Sequence, residues 1–332
     1  MRLFIMLIAF LAAGCASPPP AEAPHAAPGI LIIAHRGASG ELPEHTMQAY
    51  ARAIELGADY IEPDLVMTRD GVLVARHDPW LSDSTDIGDR PEFASRKTTL
   101  TGPDGQELTD WFAWDFTLAE LKTLRARQVR PDRPRQFDDL WAIPTYDEIA
   151  ELAAAETART GRLIGLYPET KWPRHHQDRG LDMTSAMEAA LRRHGHETAE
   201  APVFLQSFEP FILIELKERV GTRLVQLVFP LGTSPDAPPS VDLETLATYS
   251  AGVGPHKSMV NHPLTGEATG YAARARALGL EVHPWTYRDD GLPGWAATPE
   301  AEIRAAIEAG ATGVFTDFPG TGYRTVHGSG DN

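Results

Sequence analysis

The sequence predicts an α/β chain folded as a (β/α)8 barrel of the TIM type, with a β-hairpin after the second strand and a segment inserted over the barrel mouth. Two observations carry this. "AIELGADYIEPDL" from Ala53, "ARALGLEVHPWT" from Ala275 and "AIEAGATGVFTDF" from Ala306 share one layout. In each, an alanine-rich helix ends at a glycine (Gly57, Gly279, Gly310) and a β-rich apolar run follows within a few residues. Helix, turn and buried parallel strand thus recur, and the near absence of a glycine-rich dinucleotide fingerprint favours a barrel over a doubly wound sheet. The second observation is that nearly every strand candidate ends in polar residues. In a barrel of this kind the carboxyl ends of the strands converge on one face, so residues remote in sequence meet in one pocket.

The chain opens on Met1-Arg2 and an apolar run, Leu3 to Ala13, too short to span a bilayer. Residues 1–14 are expected to be a signal peptide, and the mature chain to lie outside the cytoplasm, periplasmic or at the cell surface. "LAAGC" resembles a bacterial lipobox, which implies cleavage before Cys15 and a lipid anchor on its sulfur. Residues 16–29, with five prolines and five alanines, read as an extended tether. As Cys15 is the only cysteine, the mature chain can contain no internal disulfide. The folded domain is expected over 30–325, followed by a tail, 326–332.

Further strand candidates are "ILIIAHRG" from Ile30, "RLIGLYPETK" from Arg162, "PVFLQSFEP" from Pro202 and "TRLVQLVFP" from Thr222, with "GVGPHKSM" from Gly252 and "IPTY" from Ile143 as shorter ones. Together these are one more than eight. Helices are expected at Tyr146–Arg159, Met183–Arg193 and Pro210–Arg219. The interval from about 79 to 141 breaks the rhythm and reads as the insertion. Its cluster of Trp111, Phe112, Trp114 and Phe116 suits either a substrate wall or the insertion's own small core, and the second is preferred.

Acidic residues outnumber basic ones by 46 to 30, a balance that repels nucleic acid and anionic surfaces. The chemistry lies at the strand ends. Glu62 and Asp64, two apart, project from the same face of a strand. Asp70-Gly71 suggests a two-residue hairpin turn; paired positions then sum to about 141, which would place His77 opposite Asp64. Glu169 offers a third carboxylate. Such a set, with no cysteine, suits Ca²⁺ or Mg²⁺ rather than Zn²⁺. Taken singly, each of these residues has a structural explanation: Glu62 and Asp64 as solvated strand-end charges, Glu169 as a partner of Lys171. At the strand ends of one fold, they read as a site. His35 and His77 then suit acid/base work near neutrality, and Arg36 can fork onto phosphate oxygens. Among other histidines, His45 is expected in the loop before the first helix. His256 and His283 lie near strand ends and could line the pocket, while His175, His176, His194 and His196 look solvated or structural.

"AHRGASGELPEHTMQAY", "GADYIEPDLVMTRDGVLVARHD", "GLYPETK", "QSFEP", "GVGP", "VHPWTYR" and "GVFTDFP" resemble, in order and spacing, the glycerophosphodiester phosphodiesterase family in its secreted bacterial branch. The resemblance implies hydrolysis of glycerophosphocholine, glycerophosphoethanolamine and similar diesters to glycerol 3-phosphate and an alcohol, with a divalent cation, Ca²⁺ or Mg²⁺. It implies His35 and His77 as the acid/base pair, with His35 as base, and Glu62, Asp64 and Glu169 as metal ligands. Arg36 would be the phosphate contact, and Lys171, Gln206, Phe208 and Trp285 pocket residues. The small-molecule diester is the expected partner; the membrane is reached through Cys15 alone. A lipid-cleaving barrel phosphodiesterase would need apolar loops at the mouth, which are absent from the sequence. A non-catalytic binding lipoprotein would not need two histidines.

Overall fold

The protein's structure, a computed structural model, describes residues 29–101, 105–234 and 237–328. The signal, Cys15 and all of the expected tether but Gly29 lie outside the described residues. Thirteen strands are present among these: β1 (Leu31–His35), β2 (Tyr60–Glu62), β3 (Asp64–Met67), β4 (Leu73–Ala75), β5 (Thr98–Thr101), β6 (Glu107–Asp110), β7 (Gly165–Leu166), β8 (Glu169–Thr170), β9 (Phe204–Ser207), β10 (Arg223–Val228), β11 (Gly252–Pro255), β12 (Glu281–Val282) and β13 (Gly313–Thr316).

Two barrel strands are split by prolines. Pro63 separates β2 from β3 and Pro168 separates β7 from β8, because proline has no N–H to give to the ladder. With the halves rejoined, eight parallel strands form a ring. β13, β1, β2 and β7 pair in that order, and β8 through β12 pair onward. Backbone bonds bridge the two arcs: Leu166 N donates to Pro202 O at 2.9 Å, and Thr312 N to Val282 O at 2.8 Å. The supernumerary candidate at Ile143 is not a strand; Thr145 there caps the helix Tyr146–Thr160 through a capping box with Glu148. The other expected helices are found at Met183–Arg193 and Pro210–Lys217.

Ile33, Tyr60, Tyr167, Phe204, Val225 and Phe315 fill the barrel interior as one buried cluster. Tyr167 stacks on Phe204 with centroids 5.1 Å apart and meets Phe315 edge-on at 4.9 Å. This plug closes the barrel below the rim and makes the rim the floor of any pocket. A larger apolar shell, including Ile32, Ile61, Leu205 and Val253, lies between strands and helices.

The hairpin register differs from expectation. Leu65 pairs with Ala75 and Met67 with Leu73, so partners sum to 140, one less than predicted. The loop has three residues, Arg69-Asp70-Gly71, between a Thr68–Val72 bond, and Gly71 sits at φ +80° where a side chain would be strained. Asp64 therefore faces Arg76, whose N–H donates to Asp64 O at 2.9 Å, and His77 comes one residue later.

The insertion carries the β5–β6 hairpin and packs on itself. Trp111 and Phe116 join Leu81, Ile87, Phe93, Leu121 and Leu124 against Val66 and Val74 of the hairpin. Phe112 stacks on Trp114 at 5.0 Å, and none of these four aromatics lines the pocket. At the other end the last helix, Pro319–His327, runs two residues into the expected tail.

Phe204 is 1% exposed at the centre of the plug. Phe204→Ala is expected to cost about 3–5 kcal/mol of unfolding free energy, read by denaturant titration. A loss below about 1 kcal/mol would mean that the barrel interior is not close-packed there.

Candidate active site

Strand register assembles the site. His35 lies beside Glu62, Asp64 beside Glu169, and Glu169 beside Gln206. Neighbouring strands are about 4.8 Å apart, so three carboxyl groups are forced together at the rim. All three are buried.

The surroundings answer that crowding. Lys171 Nζ lies 2.9 Å from Glu169 Oε1 and 3.9 Å from Asp64 Oδ1. The Arg36 guanidinium reaches Glu44 at 3.0 Å and Asp64 at 3.1 Å, while its backbone N–H donates to Glu62 Oε2 at 2.8 Å. Arg36 adopts φ 60°, the left-handed turn that aims both N–H and side chain at the acids. Gln206 Nε2 donates to Glu62 Oε1 at 3.2 Å.

Protonation follows from these contacts. Burial, then the Asp64 and Glu169 charges, push the Glu62 carboxyl well above its usual range. Glu169 is pushed up to about 8, by burial first and against the pull of Lys171. Asp64 goes the other way: Lys171, Arg36 and the bond from His45 outweigh its burial and hold it well below the usual carboxylate range. Burial and mutual repulsion thus favour the protonated forms of Glu62 and Glu169, while Asp64 is held charged.

His45, expected only as a loop residue, is completely buried and bonds Asp64 Oδ2 at 3.1 Å and Tyr50 Oη at 2.7 Å. Burial depresses it to about 4, so it is neutral at pH 7. The Glu44–His45 backbone is tied to the fully buried Arg76, whose guanidinium donates to both carbonyls. His283 is not a pocket residue: it is buried in the interior plug, bonded to Tyr167 Oη at 2.8 Å.

Above the acids opens a cavity of about 380 Å³ lined by His35, Arg36, Glu62, His77, Glu169, Lys171, Gln206, Phe208 and Trp285, the expected residues apart from Asp64, which lies beneath. His256 and three further cations, Arg130, Lys257 and Arg288, join them at the wall. His35 Nδ1 bonds Asp317 Oδ1 at 2.6 Å, leaving Nε2 for proton exchange. His77 Nδ1 bonds Asp78 at 2.8 Å; burial, then Arg36 and Lys171, hold its imidazole well below the usual range.

Asp64 Oδ1 is buried and accepts no hydrogen bond, an orphan acceptor beside two further carboxyls. Such an all-oxygen set fits a hard divalent cation. Ligand-capable atoms of His35, Glu62 and Asp64 lie within 4.8 Å of one another, a group able to hold a metal ion. Glu169, expected as the third ligand, is paired with Lys171, and His35, expected only for proton transfer, falls inside the group.

The fold and site define an enzyme: a barrel whose rim offers a cationic cavity over a buried acidic cluster flanked by two histidines. The chain belongs to the glycerophosphoryl diester phosphodiesterase family, whose sequence profile it matches over residues 35–321. It is 34% identical to a glycerophosphodiester phosphodiesterase of Arabidopsis thaliana, over 96% of this chain and 94% of that one. A glycerophosphodiester phosphodiesterase of Haemophilus influenzae is 32% identical, over 90% of each. Among solved structures, a phosphodiesterase of Oleispira antarctica in complex with sn-glycerol-3-phosphate superposes with TM-score 0.64 at 22% identity, covering 90% of this chain and 96% of that one. A glycerophosphodiester phosphodiesterase from Agrobacterium tumefaciens gives 0.58 at 20%, covering 88% and 98%. These two likenesses bear on the fold alone. The protein is a phosphoric diester hydrolase.

Glu62 and Glu169 are raised above their unfolded values of about 4.3, so the cation-free protein loses stability as pH climbs from about 4.5 to about 8. A cation needs those carboxyls ionised and displaces their protons. The melting temperature gained on adding Ca²⁺ or Mg²⁺ to EDTA-treated protein is therefore expected to be larger at pH 8 than at pH 5.5, and much reduced in Asp64→Asn. An increment equal at both pH values would contradict the site.

Proposed function

We propose that the protein hydrolyses glycerophosphodiesters such as glycerophosphocholine and glycerophosphoethanolamine to glycerol 3-phosphate and the free alcohol, aided by a divalent cation and by His35 and His77. The observation that carries this is the orphaned Asp64 Oδ1 beside Glu62 and Glu169, directly beneath a cavity walled by Arg36, Lys171 and both histidines. A cation held by Glu62 and Asp64, with Glu169 completing the set, would polarise the phosphoryl oxygen. Ca²⁺ is preferred over Mg²⁺ because carboxylates from several strands suit a flexible, larger coordination shell.

The chain's own groups do the rest. Arg36, anchored by Glu44, presents its planar fork to the phosphate and balances developing charge. Lys171, raised above its usual range because Glu169 and Asp64 outweigh its burial, stays charged at the cavity floor. His77 enters neutral beside Arg36 and Lys171, which supports it as the base that takes the nucleophile's proton. His35, oriented by Asp317, then gives a proton to the departing alkoxide as the phosphorus–oxygen bond breaks. This exchanges the roles the family resemblance suggested. Phe208 and Trp285 meet edge-on at 5.5 Å and form an apolar wall for the alcohol portion.

One assay tests activity and roles together: glycerol 3-phosphate release from glycerophosphocholine and from glycerophospho-4-nitrophenol, with and without EDTA. Each histidine→Ala variant is expected to lose about 10²–10⁴-fold on glycerophosphocholine, and EDTA to abolish turnover. The nitrophenolate leaves without a proton, so on that ester His35→Ala is expected to recover most of its loss and His77→Ala little. Recovery by His77→Ala instead would exchange the two roles. A wild type inactive on both esters would sink the reading.

A further inference from the structure

We propose that Arg133, from the segment inserted between β4 and the helix Tyr146–Thr160, is a positioning residue that fixes His35 through Asp317. The proposal rests on the reading of His35 as a proton-transferring group.

Arg133 is 6% exposed although it belongs to a segment rich in charge and proline. Its guanidinium uses three nitrogens on three separate pieces of chain. Nη2 donates to Asp317 Oδ2 at 2.5 Å, Nε to Asp290 Oδ2 at 2.7 Å, and Nη1 to the Ser39 carbonyl at 3.1 Å. Its plane also lies 5.5 Å from the Phe318 ring. Asp317 is thereby held at both oxygens, Arg133 on one and His35 Nδ1 on the other. A carboxylate held at one oxygen can turn about its last torsion; one held at both cannot, and the imidazole bonded to it inherits that orientation.

The same segment steadies the chain that carries His35. Gln128 Nε2 donates to Ser39 O and to Leu42 O, both at 3.3 Å, and Ser39 Oγ in turn donates to the His35 carbonyl at 2.8 Å. Arg288 Nε also lies near Asp317, at 3.8 Å, but it donates to Asp290 at 2.8 Å and the side chain is more exposed. It supplies charge without the two-sided grip, which needs a planar donor set in line with the carboxylate. The insertion therefore acts on the reaction without touching substrate through this residue: it couples the His35 ring to the body of the barrel.

The test is a double-mutant cycle in the full-length enzyme on glycerophosphocholine, with kcat and KM measured separately for wild type, Arg133→Met, Asp317→Asn and the double variant. Arg133→Met is expected to lower kcat about 10- to 100-fold, in the range of residues that orient a reacting group, with KM little changed. Because Arg133 acts through Asp317, the double variant should be no slower than Asp317→Asn to within about twofold. Wild-type kcat in Arg133→Met, a loss confined to KM, or a double variant as slow as the product of the two singles would overturn the proposal. If Arg133→Met does not fold, Arg133→Lys, which keeps the charge but not the fork, carries the same cycle with the same two outcomes. A His35→Ala variant as fast as wild type would instead overturn the underlying reading, and the proposal with it.

Discussion

Three carboxyl groups on adjacent parallel strands, Glu62, Asp64 and Glu169, cannot move apart without breaking the barrel. Their spacing is set by backbone pairing: Asp64 sits opposite Glu169, and Glu62 follows two residues before Asp64 on the same face. Like charges at such separations in a buried rim are strongly unfavourable. Much of the rim can be understood as a response to that constraint. Lys171 and Arg36 supply positive charge, Glu62 and Glu169 shift toward their protonated forms, and Gln206 and the Arg36 N–H hold Glu62 by hydrogen bonds.

The response propagates outward. Glu44 holds the far end of Arg36, and Glu44 ionises readily, at about 2, because Arg36, His45, His77 and Arg76 together outweigh its burial. The loop carrying Glu44 and His45 is held by Arg76, the residue that the hairpin register places opposite Asp64. On the opposite wall, Asp317 accepts bonds from His35 and Arg133 and stays ionised for the same reason, its charged partners outweighing its burial. Substrate thus meets a surface whose charges are already oriented, which is what electrostatic catalysis requires.

Much of this was legible in the sequence, for physical reasons. Helix–glycine–strand units announce a parallel barrel because the caps and the buried strands have distinct chemistry. The polar residues that end those strands mark the rim, and the spacing of Glu62 and Asp64 gives their common face directly. The hairpin register was missed by one because Asp70-Gly71 fits a two-residue turn as well as the last part of a three-residue one; Arg69 decides it, and nothing in its side chain says so. His45 was passed over because its partner, Asp64, is 19 residues away and a loop position before a helix reads as solvent-facing. Arg133 carried no signal at all. It lies among prolines and charges, and only the folded insertion brings it to Asp317, 184 residues on.

The acidic cluster can be neutralised in two ways, by a divalent cation held at Glu62 and Asp64 or by ion pairing with Lys171. Anomalous scattering from crystals soaked in Mn²⁺ separates the two most directly. With a cation bound, one strong peak is expected within about 2.0–2.6 Å of Glu62 and Asp64 oxygens, with Lys171 drawn away from Glu169. Absence of a peak there, with Lys171 still on Glu169, would contradict the cation site.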